Sequence, residues 1–261
     1  MMDIQVREVR FDAGKPKICV PIVGKTFEEI IEQANEAKKV AEVIEWRADY
    51  YEDVLDDDKL NSTLLALRDE IRNIPLIFNL RTTEAGGLLD ISLNQYRHIN
   101  EFAVSSRAID LADVEVSIID QLSTTFIKWM QALDVRVILS YYNFKETPED
   151  AVILFRLNLM EHWGADIAKI VLEPQNEADV LRQMGIVMKA QTFVTLPVVS
   201  VSLGRLGKFS QISGSLDGSC MTYGCLEGQV CSDAQIEADK LTLMINELRS
   251  VSYTHLTLPT I

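Results

Sequence analysis

The sequence predicts a (β/α)8 TIM barrel with an N-terminal β-hairpin cap. Eight strand-like runs alternate with eight helical patterns along 261 residues, about the length that fold takes. The competing reading is a doubly wound open sheet. That fold would favour a glycine-rich phosphate loop, and neither GxGxxG nor the P-loop pattern occurs.

Residues 4–14 alternate weakly and are expected to form a hairpin across the barrel bottom. The first barrel strand is 17–23 (KICVPIV). Helix 26–40 follows, with Thr26 as N-cap and Glu29 as its capping-box partner. Strand 43–49 (VIEWRAD) leads to a charged helix at 58–73. Strand 75–81 (PLIFNLR) leads to helix 91–106, and strand 109–116 (IDLADVEV) to helix 119–133. Strand 135–141 (VRVILSY) precedes helix 148–163, which Pro148 opens at its first turn. Strand 167–172 (IAKIVL) precedes helix 177–192, and strand 197–203 (PVVSVSL) precedes a short helix at 209–212. A brief strand at 219–222 and an amphipathic helix at 233–250 complete the pattern. No composition break divides the chain, so residues 1–250 read as a single barrel domain. The tail 251–261 (VSYTHLTLPTI) lacks helical periodicity and breaks the acidic pattern. It is expected to be a non-native read-through segment and is left out of the fold.

The chain is 48% hydrophobic with mean hydropathy +0.07, ordinary for a globular protein. A net charge of −14 argues against a nucleic-acid-binding face. No apolar run reaches membrane-spanning length. The start, MMDIQVREVR, carries charges where a signal peptide needs an apolar core, so a cytoplasmic protein is expected. Cys19, Cys220, Cys225 and Cys231 form no CxxC pair, which favours reduced thiols and no metal site.

The segment 166–174 (DIAKIVLEP) places Lys169 inside a run of buried type. Burial pushes an amine toward its neutral form, and a neutral lysine attacks ketones to give a Schiff base. The plain alternative is a lysine snorkelling from an edge strand.

In a barrel, chemistry sits at the C-terminal strand ends. The polar residues there are Glu45, Arg47, Asp49, Arg81, Asp113, Glu115, Tyr141, Tyr142, Lys169, Ser200 and Ser202. They read either as a site or as a structural ion-pair network, chiefly Glu45–Arg47 and Arg81–Glu115.

Five ordered blocks carry a resemblance: EWRADYYE (45–52), FNLRTTEAGG (78–87), VILSYYNFKETPE (137–149), ADIAKIVLEP (165–174) and VSLGRLGKFSQISGSLDGS (201–219). Together they resemble type I 3-dehydroquinate dehydratases across nearly the whole chain. The resemblance implies a (β/α)8 homodimer, a lyase of the shikimate pathway that needs no cofactor and takes a small cyclic keto acid. Lys169 matches the lysine that forms an imine with the substrate ketone. Glu45, Arg47 and Arg81 match residues that hold the substrate's polar groups.

Several positions depart from the family pattern. Tyr142 stands where the family has its general acid/base histidine, so it becomes the candidate catalytic partner of Lys169. Ala85 replaces a glutamate, with Glu84 one residue early. Gln211 stands where an arginine would bind the substrate carboxylate, and Asp217 replaces an aromatic residue. The closing loop reads CSDAQ in place of SAPGQ, keeping Gln235 and placing Cys231 at the serine. Arg205 or Lys208 could supply the missing positive charge. His98 falls in a helix and His162 near a helix end, so neither replaces the missing histidine.

A positioned acid/base is worth roughly 10²–10⁴-fold in rate, and a phenol is a poor base near neutrality. Three readings therefore stay open. One is a divergent 3-dehydroquinate dehydratase. Another is a Schiff-base lyase or aldolase-like enzyme on a different carbonyl compound. The third is a non-catalytic barrel paralogue.

Overall fold

The computed structural model describes residues 3–229 and 235–249. The expected tail and Cys231 lie outside the described residues. Strands β1 (Ile4–Val6) and β2 (Val9–Phe11) pair antiparallel as the N-terminal hairpin. The main body then runs β3 (Lys17–Ile22), α1 (Phe27–Ala37), β4 (Val43–Arg47), α2 (Asp57–Ile71), β5 (Leu76–Asn79), α3 (Leu93–Ser105) and β6 (Leu111–Glu115). It continues through α4 (Val116–Leu122), α5 (Thr125–Ala132), β7 (Arg136–Asn143), α6 (Asp150–His162), β8 (Ile167–Leu172), α7 (Glu177–Ala190) and β9 (Val198–Ser202). The last elements are α8 (Lys208–Ile212), α9 (Gly214–Asp217), β10 (Met221–Cys225), β11 (Ile236–Glu237) and α10 (Ala238–Arg249).

The parallel sheet has the order β10-β3-β4-β5-β6-β7-β8-β9, with β11 added at β10. Its two ends meet through a parallel bridge between Val198 and Ser219 and a 2.8 Å bond from Cys220 N–H to Val198 C=O. The sheet therefore closes into a barrel, and right-handed βα units wrap its outside.

Strand alternation sorts the side chains. Outward residues such as Ile44, Trp46, Phe78, Ala112, Leu139, Ala168 and Ile170 join the helix-facing core. Inward residues Val43, Ile77, Leu111, Ile138, Ile167 and Val199 form an apolar floor with Val6 and Phe11 of the hairpin. The hairpin thus plugs the barrel bottom, and Arg7 fastens it to Asp110 at 2.7 Å.

Some boundaries differ from expectation. The single helix expected over 119–133 is broken between α4 and α5. Ser123 adopts φ 71°, where a helix cannot continue, and its N–H bonds back to Ile119 C=O at 2.9 Å. Strand β7 runs on to Asn143, which carries Tyr142 into the strand. The brief strand expected at 219–222 lies at Met221–Cys225, and the closing helix starts at Ala238. Glu29 does not close a capping box on Thr26. Thr26 Oγ1 accepts from Glu29 N–H, while the Glu29 carboxylate accepts from Lys25 N–H at 2.7 Å. Among the described residues no helix is long and apolar enough to cross a membrane.

Candidate active site

The site grows directly from the barrel's period-two pattern. Moving two residues up from the apolar floor, the same strands present Glu45, Asn79, Asp113, Ser140 and Lys169 inward. Lys169 is 1% exposed, so it is not a snorkelling surface residue. Its Nζ donates to Asp113 Oδ2 at 2.8 Å and lies 3.4 Å from Glu45 Oε2. Asp113 also accepts from Ser140 Oγ at 2.5 Å. Asn79 Nδ2 donates to Glu45 Oε1 at 3.0 Å. Tyr223, on β10, donates its hydroxyl to Glu45 Oε2 at 2.8 Å.

A second layer sits above this one. Arg81 Nη2 reaches Glu45 Oε1 at 3.3 Å, and its guanidinium lies 5.0 Å from the Tyr142 ring centroid. Tyr142 in turn stacks on Phe144 at 5.8 Å and faces Lys169 Nζ at 5.9 Å. The Tyr142 hydroxyl and Arg81 Nε are buried without a hydrogen-bond partner among the described residues. They are the polar atoms at this level left to engage a ligand.

The expected ion pairs Glu45–Arg47 and Arg81–Glu115 do not form. Arg47 instead makes a bidentate pair with Asp49, at 2.7 and 2.8 Å, and lies over the Tyr50 ring. Asp49 is two residues on, at the three-residue helical turn where the chain leaves β4, which aims it back at Arg47. Glu115 is taken by Thr82, whose N–H and Oγ1 donate at 2.7 and 2.8 Å. Arg81 is thereby left for Glu45.

The electrostatics also correct one expectation. Burial does push the Lys169 amine down, but Asp113 and Glu45 push it up more strongly, and the net direction is above an ordinary lysine. For Glu45, burial raises the pKa, yet Lys169, Arg81 and Arg47 win and hold it at about 2. Burial raises Tyr142, which keeps its phenol protonated. Burial likewise raises Glu115.

Gln211 and Gln235 lie to one side. They line a cavity of about 50 Å³ with Ser200, Ser202, Ser210, Thr222 and Tyr223. Gln211 Oε1 accepts from Ile236 N–H at 3.2 Å, and Gln235 Oε1 is buried without a partner among the described residues. Tyr223 is the wall shared between this cavity and Lys169. Neither Arg205 nor Lys208 lines the cavity, and both are exposed. A second cavity of about 210 Å³ opens beside Tyr142, Ser140, Glu115, Glu84 and Ala85. A larger hollow of about 700 Å³ between α1 and α10 contains none of these strand-end residues.

Asp217 is not part of the network. Its Oδ1 accepts from Ser219 N–H at 2.9 Å at the end of α9. His98 contacts Asp57 on the surface at 2.9 Å, and His162 ends α6. The sequence reading missed Asn79, Ser140 and Tyr223 and gave Asp113 no role. The first, second and fourth stand two residues before Arg81, Tyr142 and Glu115, so the period-two rule was the available signal.

Comparisons with known proteins point to one family. A family model described as type I 3-dehydroquinase matches residues 18–251. A 3-dehydroquinate dehydratase of Clostridioides difficile strain 630 is 34% identical over 247 residues, covering 94% of this chain and 96% of the relative. One of Klebsiella pneumoniae strain 342 is 34% identical, covering 91% and 95%. Among solved structures, the Clostridium difficile type I 3-dehydroquinate dehydratase with covalently modified comenic acid superposes with TM-score 0.91 at 33% identity, covering 95% of this chain and 98% of that one. The 3-dehydroquinate dehydratase of Geobacillus kaustophilus HTA426 gives TM-score 0.91 at 27% identity, covering 96% and 98%.

Proposed function

Because the chain belongs to the type I 3-dehydroquinase family, we propose that it is a Schiff-base-forming 3-dehydroquinate dehydratase, a hydro-lyase of the shikimate pathway. The observation that carries this reading is Lys169: inward, buried, and held by Asp113 at the C-terminal mouth of the barrel. The neutral fraction of the amine attacks the substrate ketone. Loss of water from that adduct leaves a cationic imine, which Asp113 and Glu45 stabilise as they stabilise the ammonium. The imine acidifies the neighbouring C–H, whose loss expels the β-hydroxyl as water. Hydrolysis then frees the enone product and the lysine.

Arg81 and Glu45 bind the substrate's polar groups, and Arg47 orders the rim through Asp49. Tyr142 is the proton carrier. Held in its protonated form, it has a proton to give the departing hydroxyl but removes the carbon-bound proton poorly, so proton abstraction limits the rate. Gln211 and Gln235 hold the far end of the substrate by neutral hydrogen bonds. The catalytic pair is therefore Lys169 and Tyr142. The test is enone absorbance with 3-dehydroquinate. Slow turnover is expected for the native chain and none for Lys169→Ala. Equal rates for the two proteins would overturn the assignment.

One observation favours a second reading. The polar lining of the cavity beside Tyr223 is hydroxyls and amides, with no charged side chain among the described residues to meet a carboxylate. A Schiff-base lyase acting on a carbonyl compound with a neutral polar end fits that lining. Comparing trapping yields for 3-dehydroquinate and for a non-carboxylated hydroxyketone decides between them. We also infer a cytoplasmic homodimer, from the family resemblance. Light scattering at micromolar concentration tests the dimer.

A further inference from the structure

We propose that Tyr223 is a positioning residue for Lys169: its hydroxyl occupies the Glu45 oxygen that would otherwise close on the amine, so that Asp113 alone holds the nitrogen tightly. This rests on the reading of Lys169 as the imine-forming residue, but its test reads the amine itself.

The geometry of Glu45 points there. Its Oε1 accepts from Asn79 and Arg81. Its Oε2 is shared by two donors, and the neutral one is closer: Tyr223 OH at 2.8 Å against Lys169 Nζ at 3.4 Å. An ammonium paired with a carboxylate ordinarily sits at roughly 2.7–2.9 Å, and Lys169 stands well outside that range from Glu45 while the phenol is within hydrogen-bond distance. Here the phenol has displaced the ammonium. The Tyr223 ring also lies 4.8 Å from Lys169 Nζ, closer than the Tyr142 ring at 5.9 Å. An aromatic face attracts a cation, whether ammonium or imine, without competing for the amine's lone pair.

Register fixes this placement. Tyr223 pairs with Cys19 across β10 and β3, and the next strand over carries Glu45. Burial keeps the Tyr223 phenol protonated, with Glu45 adding to the effect, so it remains a donor. The charged and titratable groups around this cluster are Cys19 on β3, Glu45 and Arg47 on β4, Arg81 after β5, Asp113 on β6, Tyr142 on β7 and Tyr223 on β10. Burial pushes the Cys19 thiol well up, so it stays neutral. Removal of the Tyr223 hydroxyl should therefore change one thing: Glu45 turns its free oxygen to Lys169 and holds the proton there.

The experiment is a double-mutant cycle on Tyr223→Phe and Glu45→Gln. Its readout is the rate of Lys169 acetylation by dilute acetic anhydride at pH 9, followed by peptide mass spectrometry. Phe keeps the ring and its cation contact, and a thermal melt checks that each variant is folded. Tyr223→Phe should slow acetylation about tenfold, as for a one-unit rise in the amine's pKa. In the Glu45→Gln background the same change should alter the rate less than about twofold, because the carboxylate it acts through is gone. No slowing with Glu45 present, or equal slowing in both backgrounds, would overturn the proposal. If Lys169 acetylates as expected but gives no borohydride adduct with 3-dehydroquinate, the imine reading fails while the Tyr223 coupling stands.

Discussion

Lys169 Nζ and Asp113 Oδ2 lie 2.8 Å apart, and both side chains are about 1% exposed. Removing one member of a buried ion pair leaves the other charge uncompensated, at a cost of roughly 3–5 kcal/mol. Lys169→Met should therefore lower unfolding free energy by about that amount at pH 7, measured by urea titration. The folded pKa of Lys169 is raised, so its contribution is complete below the ordinary lysine value and is lost only at higher pH. Glu45 is depressed to about 2, so its contribution is present above the ordinary glutamate value and fades as pH falls toward 2. The difference between the two proteins should be flat from pH 6 to 9, within about 0.5 kcal/mol, and should narrow below about pH 4. A difference that grows on acidification would contradict the assigned pairing.

Tyr142 and Ala85 line one cavity and Gln211 another. Tyr142 stacks on Phe144, and Phe144 lies over Gly86, next to Ala85. Tyr142→His with Ala85→Glu and Gln211→Arg supplies a base, a carboxylate beside it and a positive group for a substrate carboxylate. The triple variant should raise kcat/KM for 3-dehydroquinate by at least about tenfold, a modest share of the acid/base effect. The single changes should not add up to the triple. A folded triple variant that forms the imine without gaining dehydration would favour a different substrate.

Gly87 is a backbone requirement of the Arg81 position. A Cβ there would sit 2.1 Å from the Arg81 carbonyl oxygen and 2.8 Å from its Cβ. Gly87→Ala must push Arg81 away from Glu45 and Tyr142. A displacement near 1 Å at a positioning group costs about 10²-fold in rate. The variant should lose roughly that in kcat/KM while its melting temperature falls by only a few degrees.

Asp217 titrates at about 6 because burial outweighs the single Ser219 N–H it accepts from. A raised carboxyl favours the folded state when protonated. Its stabilisation is complete below the ordinary aspartate value, about 3.9, and is lost as pH rises through about 6. Asp217→Asn keeps the acceptor without the charge. The variant should be more stable than the native chain by about 1–2 kcal/mol at pH 7 and equal to it near pH 3.5. Equal stability at both pH values would show that Asp217 is well solvated.

Much of this was legible in the residues. The strands that build the barrel are apolar runs whose order forces the closure, and Lys169 inside IAKIVL marks the inward face. What the sequence concealed was partner choice. Glu45, Asp49, Asp113 and Glu115 are all carboxylates near strand ends, and side-chain reach decided which arginine met which. Asp49 captured Arg47 because the turn after β4 folds it back, a feature with no sequence periodicity. The raised Lys169 pKa was hidden for the same reason, since burial alone gives the opposite sign. Tyr223 escaped notice because its strand was placed two residues early, which ended it at Thr222.

The central claim is that Lys169 is the covalent nucleophile, and borohydride trapping with 3-dehydroquinate followed by intact mass tests it most directly. One reduced adduct per chain should form, mapping to the peptide that contains Lys169 and absent from Lys169→Ala. Formation should speed up about tenfold per pH unit through the neutral range, because the amine reacts through its minor neutral fraction. No adduct at any pH, or an undiminished yield in Lys169→Ala, would contradict the claim.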